Sequence, residues 1–166
     1  MNPNNRGFTL VEVTVVVMLI GIIAAVIFAR SISTDPINLV GQVDKIRNHI
    51  RYAQSMAMKR LDMNSDERWG IKCLGGQYWL FTYENIGDEN NPIMLPEAEN
   101  EKISLADLGV TMIGYTLFFD GLGVPYKESP TSQLADPFNI TITASTDTSQ
   151  SRTLTVTPET GFITTQ

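Results

Sequence analysis

Residues 8–29 leave this chain little freedom. From Phe8 to Ala29 there are 22 residues, and Glu12 is the only formal charge among them. Coiled as a helix at about 1.5 Å per residue, the run spans roughly 33 Å, about the thickness of one hydrocarbon core. It is too long for the apolar region of an ordinary secretory signal, which runs to about 7–15 residues, and its leader is short. It therefore reads as a retained membrane helix. Val13, Val15, Val16, Val17, Ile20, Ile22, Ile23, Val26 and Ile27 make it strongly β-branched, and Gly21, Ala24 and Ala25 are small residues at which another helix can approach closely. A carboxylate near one end of such a segment is costly to bury and needs a reason. Arg6 and the initiator amine before the run, with Arg30 after it, favour an N-terminus on the cytoplasmic side.

Length and charge bound the remainder. The chain has 166 residues, room for one soluble domain beyond the apolar run. Residues 30–61 carry a net +4 and residues 62–166 a net −10. An acidic head argues against non-specific nucleic-acid binding through its bulk. Cys73 is the only cysteine and His49 the only histidine. No disulfide can form within the chain, a His-rich metal site is excluded, and any Ser–His or Cys–His device would have to use His49. No cofactor is expected.

Ser33-Thr34-Asp35-Pro36 is a helix start with Asp35 as N-cap and Pro36 at the first position, or else a kink in one continuous helix. Beyond it, Leu39, Val43, Ile46, Ile50, Ala53, Ala57 and Leu61 recur at spacings of three and four, one helical stripe that should pack on the head. Asn64–Glu67 ends that helix. Trp69–Leu74, the Gly75-Gly76 turn and Gln77–Tyr83 form a β-hairpin signal. Residues 84–102 read as a long acidic loop, Val110–Ile113 and Thr116–Phe119 as short strands, Asp120–Gly123 as a turn and residues 124–137 as a loop. Phe138–Ala144 and Thr153–Thr157 alternate strictly, which puts Phe138, Ile140, Ile142, Leu154 and Val156 inward and the threonines in water. A turn at Pro158–Gly161 leads to a last strand at Phe162–Thr164. The expected fold class is α+β, a long N-terminal hydrophobic-then-amphipathic helix packed on an antiparallel β-sheet head. Its parts are a leader (1–7), a membrane or assembly helix (8–29), an amphipathic extension (30–61) and a β-rich head (62–166).

The start Gly7-Phe8-Thr9-Leu10-Val11-Glu12, preceded by Arg6 and followed by the apolar helix, resembles the type III signal of the type IV pilin and type II secretion pseudopilin superfamily. Three further segments resemble the minor pseudopilin H and FimT-like group, MSHA-type minor pilins being a further possibility: Arg51–Met58, Phe119–Gly123 and Leu154–Gly161. The resemblance implies a pilin-like fold and a structural subunit of a type IV pilus or type II secretion pseudopilus. It implies cleavage by a prepilin peptidase between Gly7 and Phe8, N-methylation of Phe8, and assembly with other pilins or pseudopilins through Thr9, Glu12 and the apolar helix. It implies residence in the bacterial inner membrane, N-terminus cytoplasmic and head periplasmic, before transfer to the filament. A lone carboxylate in an apolar bundle is costly unless a cation pairs with it, and cleavage creates such a cation. Which of these machines the chain serves is left open by the residues.

Other residues carry less. Thr9 and Thr14 read as helix residues with back-bonded hydroxyls. His49 reads as a packing or solvated residue, Cys73 as a small buried hydrophobe, and Trp69, Tyr78, Trp79, Phe81 and Tyr83 as hairpin packing. Asp88-Glu89-Asn90-Asn91 lacks the glycine and terminal Glu of an EF-hand loop. DNA binding, a FimT-like activity, needs basic residues near the C-terminus, and Thr160–Gln166 contains none. The alternative to a purely structural subunit is a pilus-displayed module that binds DNA or a surface ligand. A membrane-anchored enzyme finds no nucleophile–base pair in the sequence, and no phosphate-cradling G-x-x-x-x-G-K is present.

Overall fold

In the computed structural model, which describes residues 9–29, 35–59, 68–85, 87–129 and 131–166, the apolar run forms helix α1, Leu10–Ala29. The chain divides into two units, Met1–Thr34 and Asp35–Gln166. In the first, apolar residues lie on all sides of α1 with no polar stripe, and every side chain described, from Thr9 to Val26, is exposed. Among the described residues no helix is long and apolar enough to cross a membrane. The run read from the sequence begins at Phe8, outside those residues, as do Gly7 and the residues 30–34 on which the choice between kink and break depends.

Among its described residues the second unit holds helix α2 (Asp35–Lys59) and nine strands. They are β1 (Arg68–Leu74), β2 (Gln77–Tyr83), β3 (Ile103–Ser104), β4 (Val110–Met112), β5 (Tyr115–Phe119), β6 (Pro125–Lys127), β7 (Phe138–Ala144), β8 (Ser151–Val156) and β9 (Ile163–Thr165). They pair antiparallel in two sheets, in the orders β3-β2-β1-β5-β6 and β4-β7-β8-β9. This is the α+β class expected. The predicted stripe is the buried face of α2: Leu39, Val43, Ile46, Ile50, Ala53 and Ala57 are all buried, packed against β1 and β5 of one sheet and β7 and β8 of the other. Leu61 and Asn64–Glu67 lie outside the described residues. Burial of such a stripe contributes about 1.5–3 kcal/mol for each large side chain, enough to hold a helix whose own propensity is ordinary.

The hairpin forms in the predicted register, with Leu74 opposite Gln77 and both turn glycines at positive φ (62° and 76°), as a two-residue primed turn requires. The strands of the second sheet lie within two residues of their expected ends. Ile140, Ile142, Leu154 and Val156 are buried, but Phe138 is only half-buried. It starts its strand, where its ring meets Tyr115 edge-on at 5.9 Å and the Lys127 ammonium lies 4.9 Å from its centroid. Thr141 is exposed, whereas Thr143, Thr153 and Thr155 are half-buried, so the outer face is less open than alternation alone implies.

Two strands were not anticipated. The 124–137 stretch, expected to be loop, contains β6, in which Tyr126 pairs with Phe118, and β3 follows the acidic loop. The hairpin aromatics also divide between two faces. Tyr78 faces α2 in the main core, whereas Trp79, Phe81, Tyr83 and Phe118, with Tyr126 beside them, form a second cluster. Tyr83 and Tyr126 both stack on Phe118, at 5.6 and 6.1 Å and nearly parallel.

Candidate functional site

The start of α1 is held by its own residues. Thr9 Oγ1 accepts the Glu12 backbone N–H at 3.2 Å, and the Thr9 carbonyl accepts the Val13 N–H at 3.2 Å. Thr9 is therefore the N-cap, and Thr9-Leu10-Val11-Glu12 has the T-x-x-E spacing with Glu at the third helical position. This corrects the expectation of a back-bonded Thr9. The T-x-x-E spacing before an apolar run was the signal that could have found it. Thr14 does bond back, to the Val11 carbonyl at 2.8 Å. Glu12 sits in the first turn, where the helix dipole favours a carboxylate, and it is exposed, as are its neighbours. Gly7 and Phe8, the expected cleavage pair, lie outside the described residues.

The three head segments singled out in the sequence meet at one side chain. From α2, the Gln54 amide nitrogen donates to the Gly123 carbonyl at 3.0 Å and to the Thr160 carbonyl at 2.9 Å. The first carbonyl lies in the turn after β5, and the second in the turn between β8 and β9. In the former, Asp120 accepts the backbone N–H groups of Leu122 and Val124, each at 2.9 Å, and the Tyr126 hydroxyl at 3.2 Å. In the latter, Gly161 has φ 63°, and a Cβ there would stand 2.7 Å from the Gly123 carbonyl oxygen. One amide thus joins α2 to a turn from each sheet.

His49 is 6% exposed, the one buried polar side chain among the described residues. Its Nδ1 lies 2.9 Å from the Tyr78 hydroxyl. Burial, and then the nearby Lys45 ammonium, hold the imidazole below its ordinary value, while Glu97 and the Pro96 carbonyl act in the opposite sense. Burial pushes the Cys73 thiol up to about 11, which keeps it a neutral hydrophobe at ordinary pH.

The acidic run is engaged within the chain. Asp88 accepts the backbone N–H groups of Glu84 (3.1 Å) and Asn85 (2.8 Å), and Glu89 accepts that of Gly87 and lies 3.7 Å from Lys72. Asn90 accepts from Lys72 at 2.7 Å. Among the described residues no group of three His, Cys, Asp or Glu is arranged to hold a metal ion. Several head cations lie over rings: Arg68 over Tyr126 (4.0 Å), Lys102 over Trp79 (4.4 Å) and Lys127 over Phe138 (4.9 Å).

No curated protein and no solved structure matches the chain. Residues 2–28 match the family model for the prokaryotic N-terminal methylation motif. The matched stretch contains the capped start of α1 and most of its length. It supports a type IV pilin-like, prepilin-type protein.

Proposed function

We propose that this chain is a minor pilin or pseudopilin, a structural subunit of a type IV pilus or type II secretion pseudopilus. A prepilin peptidase cuts it between Gly7 and Phe8, Phe8 is N-methylated, and the subunit assembles with other pilins or pseudopilins through α1. The observation that carries this reading is the methylation motif over residues 2–28, which opens a helix that is exposed and apolar on all sides. Before assembly the bilayer covers that helix, with the N-terminus cytoplasmic and the head periplasmic; afterwards neighbouring helices cover it. The likeness to the minor pseudopilin H and FimT-like group gains support from the meeting of its three head segments at Gln54.

The capped start of α1 supports a role for Glu12, whose carboxylate sits in its first turn. Cleavage after Gly7 would place a new amine one residue before the Thr9 cap. Glu12 then has a cation at hand, on its own or a neighbouring subunit, in a setting where an unpaired carboxylate is costly.

Mass spectrometry of the protein from cells with an active prepilin peptidase tests the reading. The expected mature chain begins with N-methyl-Phe8. Persistence of the uncut chain, or a mature N-terminus elsewhere, overturns it.

A further inference from the structure

The face of the first sheet that carries the second aromatic cluster holds a cleft of about 400 Å³, a size typical of small-molecule sites. Its floor is the aromatic pair Tyr83 and Phe118, whose rings lie 5.6 Å apart and within 8° of parallel. Thr116, two residues before Phe118 on β5, points to the same face. Between β2 and β5 runs β1, where Gly70 has no side chain, so Phe118 reaches across it to Tyr83.

Two loops wall the cleft, and each is fastened down. On one side, the turn Asp88–Asn90 is held to the sheet by Trp79, whose Nε1 donates to the Glu89 carbonyl at 2.9 Å, and by Lys72, which donates to Asn90 at 2.7 Å. This sets the Glu89 carboxylate in the wall. On the other side, the Lys127 N–H donates to the Ser132 carbonyl and the Ser132 N–H to the Ser129 carbonyl, each at 3.0 Å. That wall presents Glu128 and the hydroxyls of Ser129 and Thr131, which bond each other at 3.0 Å. Glu128 has φ 63° and is, with Glu97, one of two non-glycine residues at positive φ among those described. Its N–H donates to the Thr116 carbonyl at 3.1 Å, so β5 holds it in this unfavourable conformation beside the cleft.

The lining selects the occupant. Glu89 lies 3.7 Å from the Lys72 ammonium and Glu128 lies 3.4 Å from that of Lys127, so the charge of the cleft is balanced. A cation finds both carboxylates already paired, and an anion meets two of them. Carboxylates accept and do not donate, so the occupant must bring O–H or N–H donors. The hydroxyls of Thr116, Ser129 and Thr131 both donate and accept, and the aromatic floor calls for apolar surface above it. A pyranose ring unites these demands in one small body, with hydroxyls round its edge and C–H groups on its face. We propose that this cleft binds an uncharged saccharide of one or two pyranose rings. Its C–H groups rest against the Tyr83–Phe118 pair, and its hydroxyls donate to Glu89 and Glu128. This activity goes beyond filament assembly and does not depend on that reading.

The experiment follows amide resonances of the full chain in dodecylphosphocholine micelles, whose head groups contain no sugar. Glucose, galactose, mannose and N-acetylglucosamine are the probes, with sorbitol as an open-chain polyol. Each is taken to about 50 mM, above the roughly millimolar affinity that a ligand of this size reaches. At least one pyranose should give saturable shifts at Glu89, Thr116, Phe118, Glu128 and Ser129, while sorbitol gives none and the β7 and β8 amides stay in place. Thr116→Val removes a hydroxyl at constant shape, and Glu128→Gly removes a carboxylate while easing the positive φ, so both variants should fold. Each should weaken binding by about fivefold or more. No saturable shift with any of the four sugars, shifts centred elsewhere, equal shifts with sorbitol, or undiminished affinity in both variants overturns the proposal.

Discussion

Gln54 donates to two carbonyls that lie 69 and 106 residues further along the chain. Nothing local marks it: on a helix of mixed polarity, a half-buried glutamine looks like a solvated position, and its partners become visible only once both sheets are in place. Thr9 is the opposite case, because an N-cap is a local device and its T-x-x-E spacing is legible in four residues. The Gln54 amide can be tested by shape. Gln54→Met keeps the side-chain length, removes both donors and leaves the Gly123 and Thr160 carbonyls without this partner. The expected loss is about 1–3 kcal/mol in denaturant unfolding of the second unit. Gln54→Glu should cost more at neutral pH, since it aims a carboxylate at two carbonyl oxygens. Equal stability of Gln54→Met and the unaltered chain would reduce the clamp to a bystander.

The elements that were legible carry their own periodicity. The α2 stripe repeats every three or four residues, β7 alternates strictly, and the β1–β2 hairpin is pinned by two glycines that admit positive φ. Strand β6 has none of these. It is three residues long, begins with Pro125, and is ordered by Tyr126 stacking on Phe118 and bonding Asp120, contacts that exist only after β5 is placed. The second aromatic cluster was hidden for a related reason: β2 buries both faces, so alternation is lost. Gly70, on the central strand β1, makes that cluster possible. A Cβ there would run into the Cα and Cβ of Phe118 on β5. Gly70→Ala should therefore push β1 and β5 apart and cost about 1–3 kcal/mol, the usual range for overpacking. The near-ultraviolet dichroism of the Phe118 and Tyr83 stack should weaken with it. A variant with unchanged unfolding free energy and aromatic signal would show that the sheet absorbs the methyl group without strain.

At the scale of the whole chain, the two units solve the burial problem in opposite ways. The second unit buries its own apolar stripe, whereas α1, among its described side chains, leaves twelve large apolar ones exposed, each worth about 1.5–3 kcal/mol once covered. That deficit is what lipid or neighbouring helices would make good under the proposed function, and Glu12 is the residue for which these two surroundings differ most. In a bilayer it can stay near the headgroups; among packed helices it needs the amine that cleavage creates. Glu12→Ala leaves the backbone N–H that Thr9 caps, so the start of α1 should survive. Cleavage after Gly7 should also proceed, because the cut bond is untouched. Incorporation into filaments should fall by at least about tenfold, because removing one partner of a buried ion pair costs about 3–5 kcal/mol. Glu12→Gln, which keeps the shape and loses the charge, should fail to a similar degree. The check is the ratio of sheared filament protein to processed protein left in the membrane, with processing scored by mass spectrometry. Normal incorporation of both variants would show that the Glu12 side chain plays no part in assembly; failure of the Ala variant alone would assign its role to shape and hydrogen bonding rather than charge.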